Sequence, residues 1–191
     1  MPAWLGRTRW SASAVPLADR NRRRILSIGR NCWRLEPASR AAFLVDAQAY
    51  FEAFSSAAER ARHSIFIAAW DVHSRVRLRP DGSDQPVELR AYLRELALRN
   101  PELEIRILAW DFAPIYAFER EMFPALRFGS LDRLRFQLDS NHPFGACHHQ
   151  KVVVIDDSVA FVGGLDLTIN RWDSREHRPD DPHRGHAENT H

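Results

Sequence analysis

The chain has 191 residues, 45% of them hydrophobic and 27% charged, a balance that argues against collagen-like, bilayer-spanning and globally disordered classes. That length holds one domain with its own core, or one half of a larger duplicated domain. The net charge of +2 is unevenly spread: residues 1–40 carry nine Arg against two acids, which leaves the remainder acidic.

Residues 1–40 lack sustained periodicity and contain Pro2, Pro16 and Pro37, the pattern of a basic, loosely ordered N-terminal arm. Arg22, Arg23 and Arg24 suit anionic lipid or nucleic acid, and equally suit a solvated leader. The apolar residues before Arg30 are scattered, so neither a signal-peptide core nor a membrane span is legible there. Without an export signal, a cytoplasmic or peripheral-membrane location is expected.

The domain proper is expected over residues 41–176. Phe43, Leu44 and Val45 read as a short buried strand, and Asp46 as the cap of a helix to about Arg62 with an apolar stripe of Phe51, Phe54, Ala58 and Ala61. Ser64 to Trp70 carries a strand signal. Arg75 to Arg79 alternates like an edge strand, Pro80 to Pro86 is rich in turn residues, and Val87 to Leu98 has helical period. Leu103 to Trp110 alternates, with Leu103, Ile105 and Ile107 on one face. A helix around Tyr116 to Phe123 then leads to the apolar positions Leu134, Phe136 and Leu138.

The last strand pair is the clearest. Lys151 to Ile155 and Val159 to Val162 are β-branched runs separated by Asp156, Asp157 and Ser158, a tight-turn signal. Residues 177–191 form a polar tail without large apolar side chains. Alternating strand and helix signals predict a layered α/β domain with a mixed or mostly parallel sheet flanked by helices.

Chemistry concentrates near the end of this pattern. His149 and Lys151 are two residues apart on an expected strand, so both side chains project from one face. A neutral imidazole that attacks phosphorus or moves protons, beside a compact ammonium that neutralises non-bridging oxygens, suits a phosphodiester. Lys151 is also the only lysine among the 27 basic residues. Cys32 and Cys147 fit no zinc or disulfide spacing, and Cys147, His148 and His149 alternate faces if extended. No metal and no cofactor is expected.

The run His149-Gln150-Lys151-Val152-Val153-Val154-Ile155-Asp156 resembles the HxKxxxxD signature of the phospholipase D superfamily. His148 before it, Ala160 to Leu167 after it and Arg171-Trp172-Asp173 beyond resemble the first motif of the larger phosphatidylcholine-type phospholipases D. Ala69-Trp70-Asp71 is compatible but less diagnostic.

The resemblance implies a metal-independent displacement through a phosphohistidine, with catalytic residues His149, Lys151 and Asp156 and phosphate contacts from Lys151, Gly163, Gly164 and Asp166. Asp166 stands where many smaller members carry Asn. Strand parity sets Asp156 opposite the His–Lys pair unless the turn rotates it, so it is also a candidate brace of the hairpin. A carboxylate orienting His149 is sought in Asp173 or Glu176.

Such enzymes form a pseudo-twofold bilobal site from two motifs, and this sequence carries one. The expected partners are therefore a phospholipid at a membrane surface and a second HxKxxxxD half, supplied in cis or by dimerisation in trans, with nucleic acid less favoured. The expected function is hydrolysis or transphosphatidylation of glycerophospholipids by one catalytic half. The alternatives are a truncated, inactive remnant and a dimeric family nuclease.

Overall fold

The computed structural model describes residues 25–78, 85–111, 121, 123–129, 131–181 and 183–184. Two compact units divide the chain, Met1–Ala42 and Phe43–His191. In the first, the described residues form a tight turn in which Cys32 bridges back to Ile28 and Gly29 donates to the Cys32 carbonyl. Most of the expected helix around Tyr116 to Phe123, most of the Pro80 to Pro86 loop, residues 1–24 of the arm and residues 182 and 185–191 of the tail lie outside the described residues, while Glu121 and Phe123 are not helical.

The second unit opens with helix α1, Asp46–Ala58. Ala47, Phe51, Phe54 and Ala58 recur at helical spacing and all are buried. Val45 takes the cap position, and Asp46 enters at φ +68° without a side-chain capping bond. Two expectations are corrected here. The helix ends four residues before Arg62, and Phe43, Leu44 and Val45 form no strand: they are its exposed approach, Phe43 being 91% exposed. Three consecutive apolar residues carry no period, so they cannot separate a strand from a helix lead-in.

Strands β1 (Ser64–Ala69), β4 (Glu104–Trp110) and β5 (Leu134–Asp139) are parallel, while β6 (Val152–Ile155) runs antiparallel to β1, and β7 (Val159–Val162) antiparallel to β6. The sheet order is β5-β4-β1-β6-β7. This is the mixed, mostly parallel α/β sheet expected from the sequence. Ile65, Ile67, Ile105, Ile107, Val153 and Ile155 supply its core face and join one apolar cluster with Phe51, Phe54, Leu93 and Leu96. The opposite face is thinner, with Phe66 38% exposed.

Helix α2 (Leu89–Arg99) buries Leu89, Tyr92, Leu93, Leu96 and Ala97, the i, i+3, i+4, i+7, i+8 stripe of an amphipathic helix. Its Tyr92 hydroxyl donates to the Ser55 carbonyl at 2.8 Å, tying it to α1. Val87 and Glu88, expected to begin that helix, instead form β3, paired with β2 (Arg77–Leu78) in a small separate ribbon. A short helix unforeseen in the sequence, α3 (Pro124–Phe128), stacks Phe128 on Phe136 of β5 at 5.3 Å.

The β6–β7 hairpin turns through Asp156 and Asp157, both at φ +49°, and Ser158 N–H closes onto the Ile155 carbonyl. Positive φ at both central residues matches the right-handed twist of the strands they join.

Candidate active site

Antiparallel pairing brings the start of β6 beside the end of β1: Val152 faces Ala68 on one side and Val162 of β7 on the other. The chain leading into β6, the exit of β1 and the exit of β7 therefore meet at one edge, where β4 also ends. In open α/β sheets this carboxyl-terminal edge is where ligands bind.

His149 and Lys151 lie in the extended lead-in to β6 rather than within it, since the strand begins at Val152. The Gly163 amide still donates to the Lys151 carbonyl at 3.3 Å, which carries the ladder one step past the strand. Lys151 shares the parity of Val153 and Ile155, both buried. The two functional groups meet, with Lys151 Nζ 3.4 Å from His149 Nε2. An ammonium has only protons to give, so the imidazole nitrogen facing it offers its lone pair. His149 is exposed to solvent, whereas the Lys151 side chain is only 7% exposed.

Asp166, on the stretch leaving β7, is the carboxylate beneath the pair. Its Oδ2 lies 3.1 Å from Lys151 Nζ, and its Oδ1 accepts from the Trp70 amide at 3.3 Å. Burial pushes its carboxyl up from the usual range, Lys151 and the Asp71 amide pull the other way, and the Asp71 charge adds to the rise. The segment is stitched to the exit of β1 by Thr168 Oγ1 donating to Asp71 Oδ2 at 2.6 Å and by the His73 amide donating to the Leu167 carbonyl.

One wall of the site is aromatic. The Trp70 ring centre lies 5.7 Å from Lys151 Nζ and 5.9 Å from the His149 ring, and Trp70 stacks on Trp110 at 6.0 Å. Trp110 Nε1 donates to His142 Nε2 at 3.0 Å, the His142 ring stands edge-on to His148 at 5.6 Å, and His148 Nε2 reaches Asp139 Oδ2 at 3.3 Å. Cation and ring quadrupole attract at the Trp70–Lys151 separation. Trp70 and Trp110 end the runs Ser64 to Trp70 and Leu103 to Trp110, whose strand signal says nothing of a shared wall. His142 and Asp139 carried no signal beyond a polar loop, because only the ends of β4 and β5 bring them here.

Other sequence candidates lie elsewhere. Asp156 is at the far end of β6, where its carboxylate accepts from the Arg62, His63 and Ser64 amides, each at 2.8 Å. Burial raises its pKa, but those three donors outweigh it and hold it below the usual value. It thus touches neither His149 nor Lys151 and braces the turn against the start of β1. Four intervening strand residues separate it from Lys151 by about 13 Å or more.

Asp173 accepts from the Ser174 amide and Arg184 and pairs with His177, which holds its carboxyl down at about 2. Glu176 accepts from Ser174 Oγ. Among the described residues, no hydrogen bond or ion pair joins either acid to His149. Gly163 and Gly164 border open space at the same edge as Lys151. Cys147, His148 and His149 do not converge, for His148 turns to Asp139 and His149 to Lys151.

The sheet and its edge define an α/β domain of the phospholipase D type. No family model matches the chain. Phospholipase D1 of Homo sapiens is 34% identical over 151 residues, 72% of this chain and 13% of that protein. Phospholipase D A of Dictyostelium discoideum is 32% identical over 143 residues, covering 68% of this chain and 10% of that protein. Phospholipase D zeta 1 of Arabidopsis thaliana is 31% identical over 153 residues, 75% of this chain and 13% of that protein. The chain belongs to the phospholipase D family and spans only a small part of the length of these relatives.

Proposed function

We propose that this chain is one catalytic half of a phospholipase D-type phosphodiesterase acting on glycerophospholipids at a membrane surface. The observation that carries the reading is the His149–Lys151 pair, 3.4 Å apart at the ligand-binding edge of the sheet, with the imidazole open to solvent. His149 Nε2 attacks phosphorus, and Lys151 draws the charge that builds on the non-bridging oxygens. The bond to the departing alcohol breaks, and that alkoxide takes a proton from a second histidine on the opposite side of phosphorus. Water or another alcohol then releases the phosphoryl group from His149.

One imidazole cannot be attacking group and opposite-side acid in the same step, so the second half must supply the other pair, in cis or from another chain. The lipid substrate is favoured by the relatives, each named as a phospholipase D. No helix among the described residues is long and apolar enough to cross a membrane, and the reading needs only contact with its surface.

The test is complementation. The chain is mixed with, or fused to, a family half carrying the second motif, and choline release from phosphatidylcholine vesicles is followed. Turnover is expected from the pair and not from the isolated monomer. His149→Ala or Lys151→Ala should lower it by about 10³-fold or more. Turnover by demonstrated monomers, or its survival in His149→Ala, overturns the proposal.

A further inference from the structure

Lys151 is already engaged before any substrate arrives. Its partner, the Asp166 side chain, is 2% exposed, and the ion pair at 3.1 Å is neutral as a unit. A phosphodiester anion that joins it with Asp166 ionised leaves two negative groups around one ammonium whose side chain is only 7% exposed, and the lower dielectric there makes that arrangement costly. Protonating the carboxyl removes the conflict. The ammonium is then free for the diester, while Asp166 Oδ1 keeps the Trp70 amide.

Resting on the phosphodiesterase reading above, we infer that Asp166 competes with the substrate phosphate for Lys151, so that a phosphodiester enters this site together with one proton from solvent, which Asp166 takes up. In this role Asp166 is a positioning and charge-setting residue behind Lys151, not a direct phosphate ligand.

Burial and the Asp71 charge favour the neutral acid once Lys151 is shared, working against the backbone amides that donate to its carboxylate. From α1, Tyr50 faces Asp166 as an uncharged phenol, its hydroxyl pushed up by burial and by the Asp166 charge. From the exit of β1 come the Trp70 amide and the Asp71 carboxylate, whose charge opposes ionisation of Asp166, and His73, whose amide donates to neighbouring Leu167. From the lead-in to β6 come Lys151 and, behind it, His149. Lys151 is thus the cation that holds Asp166 ionised, and the diester draws on that same cation.

Dimethyl phosphate is the probe, because a dialkyl phosphate stays a monoanion throughout the range used. Its affinity for the full chain is measured by phosphorus NMR from about pH 5 to about pH 8 in a His149→Asn background, which removes the imidazole beside Lys151. Affinity should fall as pH rises, by up to about tenfold per unit where one proton accompanies each anion. Adding Asp166→Asn should flatten the profile to within about twofold and tighten binding at the alkaline end.

Calorimetry of the His149→Asn chain in two buffers of different ionisation heat reads the same proton uptake without relying on the Asp166 variant. A flat profile in His149→Asn, an unchanged slope after Asp166→Asn, or no net uptake overturns the inference and leaves the active-site reading standing. If the chain binds no dimethyl phosphate, or Lys151→Ala binds it equally well, the active-site reading falls and takes this inference with it.

Discussion

Asp156 gives its whole carboxylate to the backbone: Oδ2 accepts from Arg62, and Oδ1 from His63 and Ser64. Asp156→Ala strands those amides at the start of β1 and should cost about 1–2 kcal/mol in chemical denaturation, with dimethyl phosphate affinity of the folded protein unchanged. The folded pKa is depressed, so this contribution is complete above the unfolded value of about 3.9 and is lost as pH falls through the folded one. At this scale the sequence was half legible. Two-residue spacing anticipated that His149 and Lys151 meet, because extended backbone repeats every second residue. Nothing local pointed to Asp166 as the partner of Lys151, since that contact depends on a hairpin and two glycines turning the chain back. The search for an orienting acid in Asp173 and Glu176 followed chain proximity, and their hydrogen bonds go to His177, Arg184 and Ser174 instead.

Among the elements, the β6–β7 hairpin makes the clearest case. Its β-branched runs and Asp-Asp-Ser turn were readable because alternation and turn chemistry agree. Asp157 sits at φ +49°, which a short polar side chain tolerates and a β-branched one does not. Asp157→Val should therefore lower stability by about 1–2 kcal/mol, while Asp157→Gly holds the turn; melting temperatures of the two variants provide the check. The unread elements have physical reasons too. Helix α3 spans five residues, too few to show a period, and is held by Phe128 stacking on Phe136. Val87 and Glu88 fit the helical stripe of α2 but pair with Leu78 and Arg77 across the intervening loop, a choice that the helical period of Val87 to Leu98 does not show.

Across the molecule, the stretch after β7 is fastened to the start of α1. The Gln48 amide donates to the Asp173 carbonyl, and His177 stands between the Asp173 carboxylate at 2.9 Å and that of Asp46 at 3.7 Å. Hydrogen bonding to Asp173, followed by the Asp46 charge, raises the His177 pKa. A raised folded pKa gives stability that is complete below the unfolded value, about 6.5, and disappears as pH rises through the folded one. Asp173 works in the opposite sense, complete above about 3.9 and lost only toward about 2. The clasp is therefore firmest between those limits. Amide exchange at residues 173–177, corrected for its intrinsic pH dependence, should accelerate above neutrality, and His177→Asn should erase that change. At this scale the sequence announced the layered α/β class through alternating periods, whereas the clasp joins residues more than a hundred positions apart and left no local trace.

Lys151 has no chemical sibling in this protein: every other basic side chain of its kind is a guanidinium, unable to acylate or to shed its proton near neutrality. Acetylation or any other amine-directed modification of a side chain has a single address here. That address is roofed by Trp70 and clamped by Asp166, so the reactive amine comes within reach of such reagents only when this edge of the sheet itself opens.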